Sequence, residues 1–205
     1  MKATPAEHSS PHLHLAQTLA EEFQRCPGVQ AVALGGSRAG GICDAASDID
    51  LYVFTTRVIP LSQRIEIVQR RGASRADMDL QYWDPGDEWF DAPTGIEVDV
   101  MYWDPAWVTA QVERVLLQHQ AWVGYTTCHW HTVRRLRPLF DPSGWLRDLQ
   151  TLAAQPYPEQ LRRAIVAKNH SILRNVIPAY QHQVAKAARR GDLLSVNHRL
   201  AALFA

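Results

Sequence analysis

Two aspartates, Asp48 and Asp50, stand two residues apart inside a run of apolar residues that ends at Phe54. Residues two apart on a β-strand point to the same face of a sheet, so this spacing predicts that both carboxylates lie on one side. The apolar residues between and after them would then fill a core on the other side. The alternative is an edge strand whose acidic face is simply solvated.

A glycine-rich turn precedes this strand. Gly35 and Gly36 end the short apolar run that begins at Val29, and Ser37 and Arg38 follow them. Glycines allow a close approach of the backbone, and free N–H groups at the start of a helix bind phosphate oxygens. Ser37 adds a hydroxyl donor, and Arg38 could pair with a phosphate or face the solvent. Taken alone, the turn is weak evidence for phosphate binding, because most such turns are ordinary tight turns.

A second acidic strand is predicted near residue 100, where the chain reads GIEVDVMYW over residues 95–103. Its alternation places Val98 and Val100 on one face and both Glu97 and Asp99 on the other. Asp99 could hold a metal ion and accept a proton from an attacking hydroxyl. Glu97 shares its face, so the pattern leaves open which of the two is the third functional carboxylate.

Crowded carboxylates repel one another unless a cation neutralises them, and this predicts a metal site formed by Asp48, Asp50 and Asp99. Mg²⁺ prefers carboxylate oxygens and completes its shell with water and substrate phosphates. The spacing of the first two aspartates suits two ions about 3.5–4 Å apart, as used for in-line displacement at phosphorus. The sequence therefore indicates metal-assisted phosphoryl chemistry.

These motifs resemble those of the nucleotidyltransferase superfamily with the DNA-polymerase-beta-type palm. The matching segments are Leu34-Gly35-Gly36-Ser37, Ser47-Asp48-Ile49-Asp50-Leu51 and Val98-Asp99-Val100. More narrowly, the chain is similar to uncharacterised bacterial nucleotidyltransferases with a C-terminal helical domain, and in layout to aminoglycoside and lincosamide nucleotidyltransferases.

The resemblance implies an enzyme that transfers a nucleoside monophosphate from a nucleoside triphosphate to an acceptor hydroxyl and releases pyrophosphate. It implies that Gly35, Gly36, Ser37 and Arg38 hold the triphosphate, most commonly ATP among relatives, and that the three aspartates serve two Mg²⁺ ions. Neither the acceptor nor the preferred base can be read from the sequence. The alternative is a nucleotide-binding regulatory or antitoxin-like module that acts through a protein partner.

The pattern of elements predicts a part with both helices and strands, followed by an all-helical part, and the resemblance implies an α+β fold in which the first part contains a small mixed sheet. We expect a nucleotidyltransferase domain over residues 1–141 and a helical domain over residues 142–205. Within the first, residues 80–83 are predicted as a short strand and residues 84–94 as a loop rich in proline and acids. The last residues, SVNHRLAALFA, read as a helix without a cap, so we expect either a longer natural chain or a partner chain against this helix.

The chain has 205 residues and a formal net charge of zero, from 21 basic and 21 acidic residues. Zero net charge disfavours a broad nucleic-acid interface. No run is long and apolar enough for a membrane span. Three well-separated cysteines suggest no disulfide framework, so a cytoplasmic protein is expected. The sequence is compatible with a homodimer formed through the C-terminal helices.

Overall fold

The computed structural model describes residues 11–36, 47–82 and 84–204 of the chain. Ser37 and Arg38, the predicted phosphate contacts after the two glycines, lie outside this part. The described strands are β1 (Val29–Leu34), β2 (Ile49–Thr55), β3 (Ala73–Leu80), β4 (Gly86–Asp91), β5 (Glu97–Trp103) and β6 (Arg137–Phe140). The described α-helices are α1 (Pro11–Phe23), α2 (Leu61–Arg71), α3 (Pro105–Leu116), α4 (Cys128–Arg135), α5 (Trp145–Ala153), α6 (Glu159–His170), α7 (Tyr180–Arg189) and α8 (Leu193–Phe204).

The strands form one six-stranded mixed sheet in the order β3-β4-β5-β2-β1-β6. Strand β2 runs parallel to β5, and all other neighbouring pairs are antiparallel. The mixed sheet and the helical C-terminal region confirm the predicted combination of a small mixed sheet with a helical part. The parallel pairing matters most for function, because it brings together two acidic strands that are separated by more than forty residues in sequence.

The core lies on one face of the sheet, as the alternation of β2 predicts. Ile49, Leu51 and Val53 are fully buried there and belong to a cluster that includes Leu19 and Phe23 of α1. Burying such side chains contributes about 1.5–3 kcal/mol each relative to exposure. This fixes the pleat of β2, because a slip of one residue would exchange the buried and the acidic faces.

Strand β4 lies within residues 84–94, which the sequence predicted as a loop, so that prediction is wrong. Strand β3 ends at Leu80, where the predicted short strand over residues 80–83 was expected to begin. The core face of β4 carries two carboxylates, Asp87 and Asp91, which interrupt any apolar alternation. Both are paired with arginines of α2: Arg64 donates to Asp87 and Arg71 donates to Asp91. A buried carboxylate is tolerable when it is paired and hydrogen-bonded in this way.

Asp87 is the centre of a buried polar network. Its carboxylate accepts hydrogen bonds from the Arg64 guanidinium at 2.6 Å, from the Tyr102 hydroxyl at 2.7 Å and from the Asp79 backbone N–H at 2.8 Å. Arg64 also donates to the Asp79 carboxylate at 2.8 Å. The network therefore ties α2, the end of β3, β4 and β5 to one another.

The chain divides into two compact units, one comprising Met1–Ala110 and His131–Ala154, the other Gln111–Trp130 and Gln155–Ala205. The first unit contains the sheet. The second contains α6, a π-helical turn (Ser171–Asn175), α7 and α8. The domain boundary predicted between residues 141 and 142 stays a prediction. In the described part of the chain, no helix combines the length and the apolar character that crossing a bilayer requires.

Candidate active site

Asp50 and Asp99 are direct partners in the parallel pairing of β2 with β5. Neighbouring strands lie about 4.8 Å apart, and paired residues point to the same face. Both side chains are half-buried on the face opposite the core. The structure therefore places the second and third predicted carboxylates side by side.

Asp48 lies one residue before β2 and is exposed, and its charge raises the pKa of both Asp50 and Asp99. Glu97 is also exposed, and its strand partner is Phe90 of β4 rather than an aspartate. The pairing register thus separates two candidates that the sequence left equivalent, because Asp99 and not Glu97 stands beside Asp50.

Two further acids extend the pair across the sheet. Glu88 of β4 is the strand partner of Asp99, and Asp77 of β3 is the strand partner of Glu88. Four adjacent strands therefore carry an acidic row, defined as Asp77, Glu88, Asp99 and Asp50. Three of its members line a cleft of about 640 Å³ that Asp84 and Met101 also border. Sequence reasoning missed Glu88 and Asp77 because β4 was taken for a loop and β3 was not recognised at these residues.

Burial and neighbouring charges raise the pKa values of two members of the row, Asp99 and Asp50. Burial raises the pKa of Asp99 to about 6, and the nearby charges of Glu88 and Asp50 contribute in the same direction. Burial also raises the pKa of Asp50, with a further contribution from Asp48. Tyr52, next on the same face of β2, has a raised pKa because it is buried near Asp50 and Asp99. A cation bound here would relieve this repulsion.

These shifts predict how stability depends on pH. The pKa of Asp99 is about 6 in the folded chain against an ordinary value of 3.8, so the folded state binds more protons between these two values. The contribution of Asp99 to the free energy of unfolding therefore rises as the pH falls from about 7 to about 4. We expect the stability of the wild type relative to Asp99→Asn to be higher at about pH 5 than at about pH 7.5.

The check is urea denaturation of both proteins at the two pH values, in the presence of a chelator. The substitution keeps the shape of the side chain and removes its titration, so the difference between the proteins reports Asp99 together with its coupling to the neighbouring carboxylates. A difference that stayed constant with pH, or that changed in the opposite direction, would show that Asp99 does not titrate in this crowded environment.

The glycine-rich turn packs directly on the acidic strand. The Gly35 N–H donates to the backbone carbonyl of Asp50 at 2.8 Å, and a side-chain carbon at Gly35 would collide with the ring of Tyr52. Gly36 has a φ of +61°, and a side-chain carbon there would overlap the Asp50 carboxylate. Glycine is therefore required at residue 36 both for its dihedral angle and for the space that the carboxylate occupies.

This close approach predicts that Gly36→Ala displaces the Asp50 carboxylate and impairs any function that depends on it. Gly95→Ala is a matched control, because Gly95 has a φ of +70° and no atom within 4 Å of an added carbon. Both variants carry the dihedral cost of about 1–2 kcal/mol, but only Gly36→Ala should impair the nucleotide binding that the sequence predicts. Thermal unfolding and nucleotide titration of both variants provide the test. Equal loss of binding in the two would show that the packing against Asp50 has no role.

The donor set fits a hard divalent cation such as Mg²⁺, since Asp50 and Asp99 offer adjacent carboxylate oxygens in a half-buried, negatively charged setting. Among the described residues, however, no group of three or more histidine, cysteine, aspartate or glutamate side chains is arranged to hold a metal ion. The described part thus supplies two neighbouring carboxylates, and the assignment of Asp48, Asp50 and Asp99 as metal ligands stays a prediction.

Comparison with family models finds no match for this chain, and comparison with curated proteins finds none either. Among solved structures the chain is similar to one described as a crystal structure of a toxin-antitoxin with AMP-PNP, at 15% sequence identity and a TM-score of 0.34. The similarity covers 87% of this chain and 97% of the other. A similarity at this level supports no inference about function.

Proposed function

We propose that this chain is a Mg²⁺-dependent nucleotidyltransferase that moves a nucleoside monophosphate from a nucleoside triphosphate to an acceptor hydroxyl and releases pyrophosphate. The observation that carries the proposal is the direct pairing of Asp50 with Asp99, beneath a glycine turn whose second glycine packs on the Asp50 carboxylate. Acidic strands beside a glycine turn provide a place for a metal-bound triphosphate.

In this proposal Asp48, Asp50 and Asp99 hold two Mg²⁺ ions, and Gly35, Gly36, Ser37 and Arg38 bind the triphosphate. When bound, Mg²⁺ would neutralise negative charge on the phosphates. The carboxylate of Asp99 accepts the proton of the acceptor hydroxyl, a role suited to a half-buried carboxylate that stands beside Asp50 in the sheet. Orientation of the two reactants and charge stabilisation account for most of the acceleration in phosphoryl transfer.

A second candidate is a nucleotide-binding regulatory or antitoxin-like module that acts through a protein partner. This is the alternative that the sequence pattern leaves beside the enzyme. Such a module would bind a nucleoside triphosphate but would release no pyrophosphate.

The experiment that separates the two is incubation of the full chain with Mg²⁺, each of the four labelled nucleoside triphosphates and a panel of hydroxyl acceptors. The panel should contain amino sugars, small metabolites, protein hydroxyls and RNA ends. The enzyme is expected to release pyrophosphate and to increase the mass of one acceptor by a nucleoside monophosphate. Tight nucleotide binding without pyrophosphate release for any acceptor class would instead support the regulatory module.

A further inference from the structure

The zero net charge of the chain conceals an unequal distribution between its two units. The second unit contains 9 of the 21 basic residues but only 3 of the 21 acidic residues, and the first unit has the opposite excess. No aspartate or glutamate occurs between Glu159 and Asp192. The second unit has a net charge of +6. The zero net charge of the whole chain therefore does not disfavour nucleic-acid binding by this unit.

Two of these nine basic residues form an exposed stripe on α7 together with a histidine. His182, Lys186 and Arg189 are spaced by four and three residues, so they share one face of the helix, and all three are exposed. Ala187, on the other side, is buried. Neighbouring members of this α7 stripe lie about 6 Å and about 4.5 Å apart along the helix axis. The alanines at positions 185 and 188 leave the surface open to a close approach.

The cations of this surface are not neutralised by carboxylates. Within the part of the chain that the structure describes, neither Lys186 nor Arg189 forms an ion pair, and the same is true of Lys168. Arg162 and Arg163 of the same unit behave differently, since both are bonded to Glu159 at 2.6–2.9 Å. The α7 stripe is thus available to an anionic partner.

The same unit holds an aromatic loop, defined as residues 122–126, in a fixed conformation. The side chain of Asn169 donates to the Trp122 carbonyl at 3.0 Å and accepts from the Gly124 N–H at 3.1 Å. The loop presents Trp122, which is 51% exposed, and Tyr125, which is 76% exposed. Tyr125 has a φ of +48°, a dihedral angle uncommon for an aromatic residue. Asn169 adjoins Lys168, so an unpaired cation lies next to the anchor of the loop.

We propose that the second unit binds single-stranded nucleic acid, with its phosphates on the α7 stripe and unstacked bases on the aromatic loop. Duplexes offer phosphates but keep their bases stacked, whereas single strands offer both phosphates for the stripe and free bases for the loop. The inference does not depend on the proposed nucleotidyl transfer, because none of its residues belongs to the candidate active site.

The test is fluorescence anisotropy of a labelled, unstructured, single-stranded RNA of roughly 20 nucleotides, titrated with the full chain. Affinity should fall between about 50 and about 200 mM salt, with a log–log slope of about −0.7 for each phosphate contacted. The Lys186→Ala/Arg189→Ala variant should bind more weakly with a shallower slope. Tyr125→Asn suits the left-handed dihedral angle, and it should lower affinity about tenfold or more through lost stacking.

Arg162→Ala/Arg163→Ala is the matched control, because it removes the same number of charges from cations that are already paired. It should bind RNA nearly as the wild type does, and circular dichroism should verify the folding of all variants. Equal weakening by the control, equal binding of duplex DNA, or unchanged binding by the α7-stripe variant would overturn the proposal. A different result would also overturn it: the wild type binds no RNA but sediments as a dimer, and the α7-stripe substitutions dissociate that dimer. The α7 stripe would then be the contact surface for a second copy of the chain.

Discussion

Asp50→Asn is expected to lower the proposed nucleotidyl transfer by on the order of a hundred- to a thousandfold, the loss typical of removing one electrostatic group from a catalytic site. Asp50 stands beside Asp99 in the sheet, and Gly36 packs on its carboxylate. Asparagine keeps the shape of the side chain but removes the charge that a divalent cation requires. Asp99→Asn should have a comparable effect on turnover. The measurement is pyrophosphate release with saturating Mg²⁺ and nucleoside triphosphate.

The stability of Asp50→Asn distinguishes a loss of chemistry from a loss of fold. Burial and the neighbouring charge of Asp48 raise the pKa of Asp50, so its ionised form is disfavoured in the folded, metal-free chain. The asparagine variant should therefore unfold at a temperature no lower than that of the wild type. Asp77→Asn is the matched control, since Asp77 lies in the same acidic row but two strands from Asp99. Full activity in Asp50→Asn, or equal loss in Asp77→Asn, would contradict the assignment.

Asp87→Ala is expected to cost about 3–5 kcal/mol of the free energy of unfolding. The Asp87 carboxylate is only 1% exposed and accepts hydrogen bonds from three groups, one of them the Arg64 guanidinium. Its removal leaves a buried arginine with one partner, Asp79, whose side chain is half-exposed. Losing one member of a buried pair is costly because the remaining charge stays away from water.

Urea denaturation measures this change, with Asp77→Ala as the comparison. Asp77 pairs with Arg75 at 2.9 Å, but both side chains are more than half exposed, so its loss should cost about 0–1 kcal/mol. A small effect of Asp87→Ala, similar to that of the exposed pair, would show that the network does not anchor β4. Strand β4 carries Glu88 of the acidic row, so the same variant should also reduce any function of the row.

The acidic face of β2 and β5 could be predicted from sequence because these two strands alternate clearly. In β2 and β5 the core positions are filled by fully apolar side chains such as Leu51 and Val100, and the intervening carboxylates must then face the other way. What the alternation does not contain is the register between the two strands. The pairing of Asp50 with Asp99, rather than with Glu97, arises from tertiary packing.

Strand β4 could not be predicted for a related reason. Its core-facing residues Asp87 and Asp91 read as surface residues, and only the arginines of α2, more than fifteen residues earlier, make them compatible with burial. Recognising such pairs requires the tertiary structure. The net charge of the chain likewise does not reveal the unequal charges of the two units, because the tertiary structure decides which segments belong to each unit.

We propose that Asp50 and Asp99 bind a divalent cation together with the nucleoside triphosphate. Electron paramagnetic resonance of Mn²⁺, which substitutes for Mg²⁺ at oxygen sites, tests it directly by measuring free ion in the presence of a non-hydrolysable nucleoside triphosphate. The wild type should take up Mn²⁺ beyond what the nucleotide alone binds, and Asp50→Asn and Asp99→Asn should not. Equal uptake by the wild type and both variants would show that neither Asp50 nor Asp99 binds the cation.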